Sequence, residues 1–363
     1  MIDKLRLKKN APFIILIISI LIYILAIFLP GTLYPRIIYK MVSQSFSIFF
    51  SLLPFSFAEL LLILFPLWCL YGLGKGVYLW FSRSHKVKDY WRRVIRHSWQ
   101  LSCYLLSAFI LFTGTNYHRK PLVKYVGLEV QPAQKEELKQ MCFYLTDLTM
   151  SAAGHTRRLN DNRFVSDYSF GQKKQIVGSA YDSLATFYPV FNGRYPAVKP
   201  LTFSYWVSFT HILGFFFPFT FEVNINNDIP QFMIPAVMAH ELAHVRGFMR
   251  EEEAEYAVYL LARHTQDMEL KYSFYLSTLM RSINVLYVVD VDDFKEVLDR
   301  FSDLLIKDMN DYANYWSAFQ SPIANISQTL NDAYLKANSQ SDGVQSYGRV
   351  VDLLIADYNT HKP

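Results

Sequence analysis

Two histidines four residues apart, with a glutamate directly after the first, form the densest group of reactive side chains in the chain: His240-Glu241-Leu242-Ala243-His244. On a helix, residues i and i+4 project from one face, a turn apart. That spacing suits two nitrogen ligands of one Zn²⁺ and leaves room for a third protein ligand and a water. Glu241 stands where a carboxylate can act as general base toward such a water. Gly247 can end the helix with a positive φ. Glu251, Glu252, Glu253 and Glu255 follow, and one of them can close the site.

Which of the four closes it is a matter of spacing. In the metzincin pattern H-E-x-x-H-x-x-G-x-x-H the third ligand would fall at Arg250, which cannot bind zinc. Glu251 is one residue later and can. If Glu251 opens the next helix, Ala254 and Glu255 share its face at i+3 and i+4. Ala254 then lets the two helices approach, and Glu255 can accept a hydrogen bond from a ligand imidazole. Glu253 and Glu255 stay open as alternative third ligands. Glu252 and Glu253 are otherwise expected in solvent or paired with Arg246 or Arg250, and the whole acidic run suits a helix N-terminus.

Other elements must hold these groups in place. On the histidine helix Met238, Leu242 and Val245 supply packing positions, and Ala239 and Ala243 permit close approach. Just upstream, Phe221–Asn226 (FEVNIN) alternates apolar and polar residues with the period of a half-exposed strand. It lies in the right order to offer a sheet edge to an extended peptide. The aromatic-rich stretch 195–221 has no clear period, and core packing is its expectation. Helices are expected over 132–150, 170–188, 234–246, 251–264, 270–289, from near 294, over 312–337 and over 347–357. Tyr347 and Arg349, in the last of these, could reach the site as oxyanion donors; packing for the tyrosine and solvent for the arginine are the plainer alternatives.

The first third of the chain is of another kind. Hydrophobic residues make 52% of the whole and charged residues only 18%, below the ~25% of soluble domains, and the apolar excess lies at the N-terminal end. Apolar runs at about 12–29, 46–73 and 98–114 predict three membrane spans. Pro54 and Pro66 can kink the second or divide it into a re-entrant piece and a span, and the first is uncleaved, since Pro30-Gly31 is no small-x-small site. Residues 1–118 hold 13 Lys/Arg against 3 Asp/Glu, net +10, so the whole-chain +5 leaves −5 for the rest. The basic balance therefore belongs to the membrane part and gives no sign of nucleic acid. Lysines and arginines before the first run, and at 74–97, place both segments in the cytoplasm by the positive-inside rule. Three spans would then put residues 115–363 outside it. Glu59, inside the second run, is read as a carboxylate between helices or near an interface. Cys69, Cys103 and Cys142 form no CxxC pair, so neither a disulfide framework nor a thiolate zinc site is supported.

The segment Glu251-Glu252-Glu253-Ala254-Glu255 resembles the E-x-E-A-[D/N] pattern of gluzincin membrane peptidases such as HtpX and the CAAX-processing proteases. There the first Glu is the third ligand, which carries over to Glu251, with Glu255 at their Asp. A longer resemblance runs through KPLTFSYWVS, PFTFEVNIN, HELAHVRGFMREEEAEY and AYLKANSQSDGVQSYGRVVDLL. It is similar to a bacterial membrane family of unknown function with a zincin-like motif, whose typical form HELAHQRGFAREDEAN differs here at Val245, Met249, Glu252 and Glu255.

The resulting expectation is a mainly α protein. A three-span region (1–117) is followed by an α-rich zincin-like metallopeptidase domain with a small β element (118–363). Its sites are metal ligands His240, His244 and Glu251, catalytic Glu241 and Tyr347, and Glu255 behind the ligands; its cofactor is Zn²⁺. The expected partners are the lipid bilayer and a polypeptide substrate of the membrane or envelope. The expected place is the bacterial inner membrane, with catalysis on the extracytoplasmic side. The alternative is a non-catalytic zincin-fold binding or signalling module tethered to the membrane.

Overall fold

A computed structural model describes residues 2–29, 34–131, 134–338 and 349–361. Among them, two helices rather than the expected three are long and apolar enough to cross a membrane. One is Asn10–Phe28 within α1 (Ile2–Phe28), with mean hydropathy 2.9; the other is α3 (Phe57–Phe81), with 1.8. The expected run 46–73 breaks in the middle. Helix α2 (Tyr39–Ser51) stops ahead of Pro54, since a residue before proline is driven out of helical backbone, and α3 restarts when the Ser56 side chain caps it by accepting from Glu59 N–H at 2.9 Å. The expected third span is only the second half of α4 (Val87–Phe112). Arg92, Arg93 and Arg96 load its first half, and Ser98, Gln100, Ser102 and Ser107 dilute the apolar part. It runs beside α1 and turns back along α3, where Tyr90 Oη donates to Gly72 O at 2.6 Å.

The rest is helical around a three-stranded sheet. In chain order it comprises α5 (Val123–Val126), α6 (Lys135–Ala153), α7 (Phe170–Phe187), β1 (Val198–Pro200), α8 (Ser204–Ser208), β2 (Gly214–Phe217) and β3 (Glu222–Ile225). Then follow α9 (Ile234–Val245), α10 (Glu251–His264), α11 (Met268–Val289), α12 (Val291–Leu298), α13 (Asp303–Ser317), α14 (Pro322–Ala337) and α15 (Arg349–His361). The single helix expected over 312–337 is thus two, because Ser321 caps a new start and Pro322 takes its first turn. Helix α10 is the centre of the domain, packed against α9, α11, α7 and α15.

The strand order is β1-β3-β2, with β1 parallel and β2 antiparallel to β3. FEVNIN is therefore the central strand, and β2 is the edge beside α9, which corrects the expected assignment. Its polar residues do not face solvent either. Glu222 accepts from the first N–H groups of α3, Phe57 at 3.0 Å and Ala58 at 2.8 Å, and Asn224 Oδ1 accepts from the Ser56 hydroxyl at 2.6 Å. Glu59, in return, accepts from Thr202 and Phe203 N–H, each at 2.9 Å. The alternation of β3 thus divides helix-end capping from core packing.

Candidate metal centre

Helix α9 begins with Pro235 in its first turn, where no amide partner is needed, and is buried along nearly its whole length. Its end is set by Gly247, whose φ is +92°. There Phe248 N–H reaches back to Ala243 O at 3.1 Å and Gly247 N–H to His244 O at 2.8 Å, the paired bonds of a Schellman turn. The same turn aims Phe248 O at His244 Nδ1, 2.7 Å away. Fixing that nitrogen as donor leaves Nε2 as the free lone pair. Residues 246–250 then return the chain so that Glu251, the first residue of α10, meets both histidines.

Glu251 Oε2 lies 3.2 Å from His240 Nε2, and Glu251 Oε1 lies 3.7 Å from His244 Nε2. The two Nε2 atoms are 3.0 Å apart, and one donor atom from each of the three residues falls within a 4.8 Å span. Behind them Glu255 Oε1 is 2.8 Å from His240 Nδ1, an ion-pair contact off the N–H axis. Arg281, from α11, grips that same carboxylate oxygen.

The charges are strongly coupled. Burial pushes His240 down, but Glu255 and Glu251 outweigh it and hold the imidazole well above its usual value. Burial lowers His244. Glu251 is raised by burial, yet both imidazoles and Arg281 bring it down to about 2. Glu255 is likewise raised by burial and held low overall by Arg281 and His240. Glu241 stands apart: burial pushes it up to about 7, against His240 and a hydrogen bond from Phe216 N–H.

These residues fit a divalent cation. Two imidazole Nε2 lone pairs that face each other at 3.0 Å repel unless a proton or cation lies between them. Among the described residues, Arg281 is the permanent positive charge that lowers Glu251 and Glu255, while Glu241 is lowered by His240, and a buried excess of negative charge is costly. Two nitrogens and a carboxylate oxygen, with space beyond them, are donor types that open zinc sites use.

That space is a cleft of about 1540 Å³. Strand β2 walls one side, α9 and α10 form the floor, and α11 and α14 close the other side. Asn226 N–H donates to Leu213 O at 2.9 Å, and the register pairs Gly214 with Ile225. By antiparallel alternation, Phe215 and Phe217 then exchange bonds with β3. Gly214 and Phe216 turn their backbone groups outward to the free edge, where Phe216 N–H reaches Glu241. A Cβ on Gly214 would come within 2.8 Å of Val237 Cγ1, 3.0 Å of Asn224 O and 3.3 Å of Glu241 Cγ. Only glycine lets the edge lie this close to the histidine helix.

The structure thus brings His240, Glu241, His244, Glu251 and Glu255 together. Glu253 is buried elsewhere, accepting from Leu122 N–H at 2.8 Å and pairing with Arg250 at 3.0 Å, which removes it as a ligand candidate. Glu252 lies 3.5 Å from Arg349, so that guanidinium is at the α10–α15 contact rather than at the histidines. Tyr347 lies outside the described residues. Among the described residues, Arg246 forms no ion pair with an acid; it is buried with Nε on Phe191 O at 3.0 Å and its guanidinium 3.8 Å from the Tyr181 ring. Sequence reasoning missed Arg281 and β2: nothing in MRSIN marks the arginine, and GFFF has no alternation to mark a strand.

A family model described as Protein of unknown function (DUF3810) matches residues 34–355. The chain belongs to this family. The DUF3810 match runs from just before α2 into α15, so it takes in the docking of helix ends onto the sheet as well as the histidine site. No curated protein and no solved structure matches the chain.

Proposed function

We propose that the protein is a membrane-anchored, zinc-dependent peptidase. One observation carries the reading: His240, His244 and Glu251 converge on one point while a fourth buried group, Glu241, faces the same cleft without joining them. Zn²⁺, when bound there, supplies Lewis-acid polarisation of a carbonyl and acidifies water. His240, His244 and Glu251 hold the ion, and Glu255 with Arg281 keeps the His240 ring in place. Glu241 takes a proton from the attacking water onto its carboxylate and returns it to the leaving amine nitrogen. The outward backbone groups of Gly214 and Phe216 hold the substrate as an extended strand, and Tyr347 remains a proposed oxyanion donor.

Which helix ends meet the domain supports one side of the membrane, with α4 taken as a third crossing although its apolar half is diluted. Tyr23, near the end of α1, packs on His118 at 5.0 Å; the first turn of α3 meets Glu222; Phe109, near the end of α4, packs on Tyr334 at 6.1 Å. The basic segments lie at the opposite ends of the same helices. With those in the cytoplasm, we place the domain on the extracytoplasmic face of the bacterial inner membrane, with membrane or envelope polypeptides as substrate.

The test is purified full-length protein, its zinc content, and its cleavage of a mixed peptide library. One equivalent of zinc in both wild type and Glu241→Gln, with cleavage in wild type alone, is expected. Equal cleavage by both would remove Glu241 from the mechanism. A folded protein that binds no zinc would turn the reading to the non-catalytic module.

A further inference from the structure

Helix α14 is built inside out for a helix on a water-exposed surface. Ile323, Ile326 and Leu330 recur on one face, and they are 55%, 60% and 65% exposed. Asn325, Gln328 and Asn331 line the cleft instead. A surface helix in water does the reverse, turning its apolar stripe inward. An amphipathic helix lying in a lipid interface shows the apolar face outward, as here.

The neighbouring elements place that face at the level of the bilayer. Tyr334, on the last turn of α14, packs on Phe109 of α4. Ser321, the α14 cap, donates to Phe209 O at 2.8 Å, and Phe319 packs on Tyr205 at 5.4 Å. These contacts join α14 to α8, where Tyr205 and Trp206 are exposed, Trp206 by 67%. Helix α8 follows Thr202 and Phe203, whose N–H groups are held by Glu59 in the first turn of the spanning helix α3. Exposed Tyr and Trp beside the end of a span match the aromatic belt of membrane interfaces. The apolar rim of α8 and α14 is therefore continuous with the lipid-facing surface of α3 and α4.

We propose that α8 and α14 lie in the headgroup layer of the bilayer, so that the cleft opens along the membrane surface and receives a polypeptide anchored in that same membrane, cut close to where it emerges. The occupant of the apolar rim is lipid. The placement stands without the peptidase reading; the substrate class rests on it.

The test uses the full chain in phosphatidylethanolamine–phosphatidylglycerol vesicles, with the photoreactive residue benzoylphenylalanine placed singly at Ile326, Leu330 or Trp206. Illumination is expected to give phospholipid adducts at these positions, as at Leu64 on the exposed face of α3, and none at Gln328. Adducts at Leu64 without any at Ile326, Leu330 and Trp206 would overturn the placement. For the substrate class, casein peptides are coupled to phosphatidylethanolamine either directly or through a long polyethylene glycol spacer, which confines both to the vesicle. Directly coupled peptides are expected to be cut at least several-fold faster. Equal rates, or preference for the spacer, would overturn the substrate class. Lipid adducts with no cleavage of either form would leave the placement standing and sink the peptidase reading instead.

Discussion

The Tyr39 hydroxyl donates to the carbonyl of Val245, 3.2 Å away and 206 residues further along the chain. Tyr39 opens α2, the helix between the two candidate spans; Val245 is the last residue of the helix that carries both histidines. The final carbonyls of a helix have no partner within it. Arg119, just after α4, completes the cap by donating from Nη1 to Arg246 O at 2.7 Å, with its guanidinium 4.6 Å from the Phe248 ring. Tyr39→Phe is expected to cost about 1 kcal/mol, the usual net value of a buried hydrogen bond. Arg119→Ala should cost more, because it also removes the contact with Phe248 and leaves Arg246 O bare. Thermal unfolding in detergent, with zinc competition alongside, checks both; no shift in either variant would mean that α9 is completed some other way.

Removing a ligand should be distinguishable from removing its support. His240→Ala, His244→Ala and Glu251→Ala are each expected to lose stoichiometric zinc. Glu255→Gln should keep one equivalent with affinity weakened about 10–100-fold, as for other groups that orient a ligand imidazole. Competition with a chelating dye separates the two classes. Zinc retained by Glu251→Ala would move the third ligand elsewhere.

Glu241 should burden the metal-free protein. Its value is raised from 4.5 to about 7 by burial, so between those values the native state keeps a proton that the unfolded chain releases. Stability therefore falls as pH rises through that window, and the full cost remains above pH 7. Chelated Glu241→Gln and wild type should unfold alike near pH 4.5. By pH 8 the variant should be more stable by about 1–3 kcal/mol. Parallel stability curves across the range would show that the carboxylate is not desolvated in solution.

Gly214 is where the sheet edge touches the histidine helix. Gly214→Val places side-chain atoms against Val237, Asn224 O and Glu241, and is expected to displace β2 at a cost of about 1–3 kcal/mol, typical of overpacking. Turnover should fall by more than the stability loss explains, with zinc still bound. Full activity in a folded Gly214→Val protein would exclude β2 as the substrate strand.

The site was more legible in the sequence than the fold around it. Helical periodicity alone puts His240 and His244 on one face, and a return of only five residues after Val245 leaves Glu251 few other places to go. Spacing could not show Arg281, which enters from α11 and reads as an ordinary surface charge until the Glu255 contact is seen. The strand Glu222–Ile225 was legible by its alternation, but alternation says only that two faces differ. That the polar face meets a helix end instead of water depends on α3, 165 residues away. The long apolar run 46–73 misled because hydropathy sums over residues and a break does not; Pro54 carried the signal. Ser321-Pro322 is a helix start in the same way, hidden inside a run with helical spacing on both sides.

Glu222 is fully buried, and the partners of its carboxylate are the opening amides of α3, a candidate membrane span, and the Thr220 hydroxyl at 2.8 Å. A fragment starting at residue 118 would keep the acid and lose those amides, leaving a dry carboxylate without its main donors. The same cut strips Phe221 of the Phe46 and Phe112 rings and takes Tyr39 from α9. Shedding from the membrane should therefore destroy the domain instead of freeing it. By the same logic, a newly made chain should finish its histidine helix only once Tyr39 and Arg119 have docked on it, so that any proposed activity would wait on the N-terminal helices.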